Sequence, residues 1–87
     1  MIKMKVKKWL SKWFEKNSDL KLTEIEVNFN ENYLQRGWID SFKFISLVTD
    51  IEDFFKITFS ADEFQNGKFL TAIGLQEIIE ERIEKEI

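Results

Sequence analysis

Apolar residues at Ile2, Val6, Trp9, Leu10 and Trp13 recur close to the helical period, with lysines filling the other face. The spacing predicts a helix over residues 1–17, ended by Asn17, Ser18 and Asp19. From Leu20 to Gly37 the pattern changes. Leu20, Leu22, Ile25, Val27 and Phe29 alternate like a short strand, yet a lone strand has no partner. The segment is therefore expected to be a long ordered loop whose apolar side chains plug into a helical core. Loops of that length are usually functional.

A strong helical stripe follows. Phe44, Val48, Ile51 and Phe55 share one face, Leu47 and Phe54 widen it, and Asp40 and Ser41 are good capping residues for a helix from Ser41 to Lys56. Ile57, Thr58 and Phe59 form a turn. Ser60 and Glu63 have capping-box spacing for a short third helix, and Gly67 closes it. Thr71 caps a last helix with Leu75, Ile78, Ile79 and Ile83 inside. The expected fold is one all-α domain, residues 1–87: a four-helix bundle of three main helices and a short third one, with a long first loop.

Composition narrows the chemistry. The chain has neither Cys nor His, so thiolate nucleophiles, disulfides, imidazole bases and the usual zinc ligands are excluded. Paired carboxylates such as Glu24/Glu26 and Glu80/Glu81 occur, but 87 residues build little substrate cleft around them. An enzyme in its own right is not expected, and neither is a metal site. No apolar run reaches the ~20 residues of a spanning helix. The basic start MIKMKVKKWL lacks an uninterrupted apolar segment and a cleavage site, which points to the cytoplasm.

Charge is uneven. Residues 1–17 carry +5 and the rest −8, for a net −3. The lysine face of the first helix is expected to be solvated and drawn toward the acidic last helix, with Glu77, Glu80, Glu81, Glu84 and Glu86. Alternatively, with Trp9 and Trp13, it makes peripheral contact with an anionic membrane, or docks on an acidic partner. Nucleic acid is an unsuitable partner, because the second main helix carries Asp50, Glu52 and Asp53 against only Lys43 and Lys56.

Phe42 lies about 160° from Phe44 on the helical wheel, among Ser46, Thr49 and Asp53. A large apolar residue on a polar face next to a candidate reactive hydroxyl points to a partner contact. That hydroxyl is Ser41, at a helix start where free N–H groups and the macrodipole favour negative charge. Taken alone, a serine there is usually just a cap.

The combination is more specific. Leu34-x-x-Gly37-Trp38-Ile39-Asp40-Ser41-Phe42, followed by an amphipathic helix ending Ile51-Glu52-Asp53-Phe54-Phe55, resembles the acyl carrier protein family. The likeness continues through Ile57-x-Phe59, Asp62-Glu63-Phe64 and Phe69-x-Thr71, spanning roughly 29 to 83, while the first helix matches only in length and amphipathicity. The Gly-x-Ile-Asp-Ser-Phe form looks more like the stand-alone carriers that handle amino acids, such as D-alanyl carrier proteins, than like the usual fatty-acid carriers.

The resemblance implies that Ser41 carries a covalent 4'-phosphopantetheine arm. A phosphopantetheinyl transferase would supply it from coenzyme A, and its thiol would hold an acyl or aminoacyl thioester. That arm would let a chain without Cys do sulfur chemistry. An activating ligase and a downstream transferase are the implied partners of a monomeric carrier. Asp40, Phe42, Lys43, Ser46, Asp50 and Asp53 fall on its implied recognition surface. Lys43 and Ser46 stand where such carriers often have acidic groups, so poor service to a generic fatty-acid synthase is expected. The competing expectation is an unmodified all-α interaction module using a Trp38/Phe42 patch.

Overall fold

The computed structural model describes residues 2–85. Four α-helices occur among them: α1 (Ile2–Asn17), α2 (Leu22–Val27), α3 (Ser41–Phe55) and α4 (Ala72–Lys85). Two 3-10 turns, Glu63–Gln65 and Gly67–Leu70, lie between α3 and α4. No β-strand is present among the described residues, only a single bridge between Asn32 and Thr71. The all-α bundle expected from periodicity is the observed fold.

Each main helix buries its expected stripe. Val6, Leu10 and Trp13 of α1 are buried and Trp9 partly so, while Phe14 adds a ring that is fully enclosed. The side chain of Ile2 lies outside the described residues, as does Glu86. Leu47, Val48 and Ile51 of α3 join Leu75, Ile78 and Ile79 of α4 in one core cluster, with Phe44, Phe55 and Ile83 packed on its edge. Rings link α3 to the rest. Trp9 meets Phe55 edge-on at 5.5 Å, and Tyr33 stacks on Phe44 at 6.2 Å. Such pairs add about 0.5–1.5 kcal/mol each beyond their buried area. Phe54, expected to widen the buried stripe, is instead 50% exposed beside Trp9.

The first connection departs most from expectation. It is not all loop, because α2 forms within it. The Glu24 carboxylate accepts the Lys21 backbone N–H at 3.1 Å, tying off the start of that helix. Helical spacing then puts Ile25 inside and turns Val27 outward to 79% exposure, with Phe29 buried just beyond the helix end. Ile25 and Phe29 do plug into the core as expected and Val27 does not; Tyr33 joins them there.

Tyr33 anchors this connection. Its ring is fully buried against Phe14, its hydroxyl donates to the Phe69 carbonyl, and its backbone N–H donates to Leu70 O at 3.1 Å. Burial pushes the phenol pKa well above its ordinary value, so the hydroxyl stays protonated as a donor. Tyr33→Phe strands the Phe69 carbonyl in the interior. The expected loss is about 1–3 kcal/mol of unfolding free energy, read by urea titration.

The third segment is tighter than an α-helix. Glu63 Oε1 accepts the Ser60 N–H at 2.9 Å, as the capping-box spacing predicts, but only a 3-10 turn follows. Gly67 does not close that helix. It opens a second turn instead, started by Asn66 Oδ1 accepting the Lys68 N–H at 3.0 Å. Glu63 also pairs with Arg82 of α4. Partial burial pushes the Glu63 pKa up, but the Ser60 N–H and the Arg82 guanidinium outweigh this and hold it below its ordinary value. Ionised Glu63 therefore stabilises the fold at pH above the ordinary carboxylate value, and that contribution is lost as pH falls through the depressed one. Glu63→Gln should lower Tm at neutral pH, and the gap from wild type should close in acid.

Thr71 caps α4 as expected, its Oγ1 accepting the Gly74 N–H at 3.0 Å. Ion pairs to α4 are formed by Lys68–Glu77 and Arg82–Glu63, both from the segment before it.

Candidate functional site

The start of α3 is set by the turn before it. Asn32 Oδ1 accepts the N–H groups of Leu34 and Gln35, which begins a single helical turn. Gly37 ends that turn at φ 76°, a left-handed conformation that glycine adopts without steric cost. The Trp38 N–H returns to Tyr33 O at 2.9 Å and the Gly37 N–H to Leu34 O at 3.1 Å, the paired bonds of a Schellman stop. Trp38 then packs edge-on to Phe14 at 5.5 Å and Ile39 is buried, so the chain is pinned just before α3 begins.

Asp40 and Ser41 now separate in role. Asp40 is the cap: its backbone is extended and its Oδ1 accepts the Lys43 N–H at 2.9 Å. Ser41 is the first helical residue and is exposed, and its hydroxyl makes no hydrogen bond among the described residues. With its neighbour as the cap, Ser41 is spared the ordinary structural task of a serine at this place.

An open groove of about 1150 Å³ has Asp40 and Lys43 in its lining, the residues just before and two after Ser41, which does not itself line it. Leu20, Leu34 and Trp38 give it apolar walls. Lys16, Arg36 and Lys43 supply three positive charges, against the carboxylates of Asp19 and Asp40. An anionic group on Ser41 Oγ would sit at the N-terminal end of α3, with these positive charges in the neighbouring groove. Lys43 is held there, since its Nζ donates to Asn17 Oδ1 at 3.1 Å.

The other predicted residues lie along α3. Phe42 is 83% exposed, and Ser46 and Asp53 face solvent. Asp50 is exposed too, but it accepts the Trp13 Nε1–H at 2.8 Å, which locks α3 to α1. Trp38 and Phe42 share no ring contact among the described residues; Trp38 lines the groove while Phe42 projects outward. No protein family, curated protein or solved structure matches the chain. Among the described residues no helix is long and apolar enough to cross a membrane.

Sequence reasoning missed three contributors. Ile45, 63% exposed, extends the Phe42 patch one helical turn along α3. Its i+3 spacing from Phe42 was the available signal. Lys16 and Arg36 come to the groove only through the fold, and nothing in their local sequence marks them.

Proposed function

We propose that the chain is an acyl carrier whose 4'-phosphopantetheine arm is attached at Ser41. What carries this conclusion is the exposed Ser41 hydroxyl, which has no hydrogen-bond partner among the described residues because Asp40 does the capping. The likeness of Gly37 to Phe42 to acyl carrier proteins adds the specific chemistry. When bound, the arm supplies the thiol that this chain lacks.

The residues present fit that group. Attachment joins Ser41 Oγ to phosphorus, with loss of the hydroxyl proton and departure of the nucleotide half of coenzyme A. The first turn of α3 would favour the charge of the phosphodiester, and Lys16, Arg36 and Lys43, which line the neighbouring groove, would add positive potential nearby. The rigid Schellman turn and the Asp40 cap hold the attachment atom still, so that motion belongs to the arm.

Phe42 and Ile45 form the apolar centre of the surface that a transferase and later partners meet, with Lys43, Ser46, Asp50 and Asp53 around it. Phe42→Ala combined with Ile45→Ala should lower kcat/KM for arm transfer by about tenfold or more. Thermal stability should barely change, because both side chains are already in water. The same exposed pair would serve an unmodified interaction module, so modification itself must decide between them. The test is intact mass of the purified chain after incubation with coenzyme A and a broad-specificity phosphopantetheinyl transferase. A gain of one arm is expected. An unchanged mass with several transferases favours the module.

A further inference from the structure

The exposed lysines of α1 form a row. Lys5, Lys8, Lys12 and Lys16 follow at intervals of three, four and four residues, which keeps them on one helical face. Lys7 sits elsewhere, with Nζ 5.7 Å from the Phe29 ring centre. None of the four is paired with a carboxylate among the described residues, and Lys5 Nζ lies 5.9 Å from the Phe54 ring centre. Like charges at these spacings repel, and no ion pair among the described residues relieves them.

The row continues past the end of α1. Lys16 reaches the groove beside Ser41, where Arg36 and Lys43 also lie, and the Lys43–Asn17 hydrogen bond fastens the start of α3 to the end of α1. Lys5, Lys8, Lys12, Lys16, Lys43 and Arg36 thus make one cationic band that runs up to Ser41.

We propose that this band rests on an anionic phospholipid bilayer, with Ser41 at the margin of the contact. The apolar face of α1 is committed to the core through Val6, Leu10 and Phe14, so the helix adsorbs by charge and does not insert. A folded protein partner calls for an apolar centre within the interface. Along α1 the band is instead a row of long exposed lysines with no carboxylate partner among the described residues, flanked by partly buried Trp9 and half-exposed Phe54. Mobile lipid headgroups rearrange to meet such spaced charges, and aromatic rings suit the headgroup level. Glu15, Asp19, Asp50 and Asp53 flank the band, which keeps adsorption weak, reversible and sensitive to salt.

The experiment is co-sedimentation of the full chain with phosphatidylcholine vesicles, with or without roughly one-third phosphatidylglycerol. Binding is expected only to the anionic vesicles, and it should fade as added salt shortens the Debye length. Lys8→Glu combined with Lys12→Glu should reduce the partition coefficient at least about tenfold. Lys8→Gln with Lys12→Gln should give a smaller loss, and it keeps the test valid should charge reversal disturb the fold. Ser41→Ala should bind vesicles like wild type, so the outcome here is independent of arm attachment. Equal binding to both vesicle types, or no loss in either double variant, overturns the proposal. So does retention on polyglutamate resin without vesicle binding, which would assign the band to an acidic protein.

Discussion

Ser41→Ala is expected to abolish arm attachment completely while leaving the fold intact. The loss is total because no second hydroxyl shares this place. Asp40 before it is a carboxylate, Phe42 and Lys43 follow, and Ser46 lies more than one turn further along α3. The fold is spared because the methylene and hydroxyl of Ser41 lie in solvent and the α3 cap belongs to Asp40. Surface substitutions of this kind change stability by about 0.5 kcal/mol or less. Asp40→Ala should do the reverse. It removes the cap, at about 1 kcal/mol, while retaining the acceptor hydroxyl. Intact mass and thermal melting of the two variants, side by side, separate the chemical role of one residue from the structural role of its neighbour. An equal loss of loading and stability in both would mean that Ser41 is structural.

Gly74→Ala is expected to be the most damaging small change in the chain. A Cβ built there would fall 2.1 Å from the Lys68 carbonyl oxygen and 2.7 Å from the Lys68 carbonyl carbon. These are backbone atoms of the second 3-10 turn and cannot swing aside as a long side chain could. Relief requires α4 to move away from that turn, loosening Phe69, Leu75 and the Tyr33–Phe69 hydrogen bond together. Overpacking costs about 1–3 kcal/mol where a core can yield, and this contact should reach at least the upper end. Against the ~5–15 kcal/mol of a typical domain, that is a large fraction. Urea unfolding measures it directly. A variant as stable as wild type would contradict the close seating of α4 on this turn.

The helices α1, α3 and α4 were legible because each carries a long apolar stripe at one period. Their ends were legible in part. Thr71 caps α4 as its position suggests, but two adjacent capping residue types, Asp40 and Ser41, left the α3 cap ambiguous until the backbone placed Asp40 in the extended region. The first connection was misread for a physical reason. Over so few residues, Ile25, Val27 and Phe29 fit alternation as well as helical spacing, and the bond that favours α2 comes from Glu24 reaching back to Lys21, a residue with no capping propensity. Gly67 looked like a stop because glycine often follows a helix, but here the Asn66 side chain starts a new turn over it. At the site, Ser41 and Phe42 could be read from local pattern. The groove could not, because Lys16, Leu20 and Arg36 meet Lys43 only after α1 and the first connection have folded against α3.

Trypsin offers the most direct test of where an arm would sit. Cleavage after Arg36 and Lys43 releases residues 37–43, a peptide whose only hydroxyl-bearing side chain is Ser41. Tandem mass spectrometry of that peptide, from protein incubated with coenzyme A and transferase, should find one phosphopantetheine on it. Recovery of the peptide solely in unmodified form, or of the arm on any other peptide, would contradict the account.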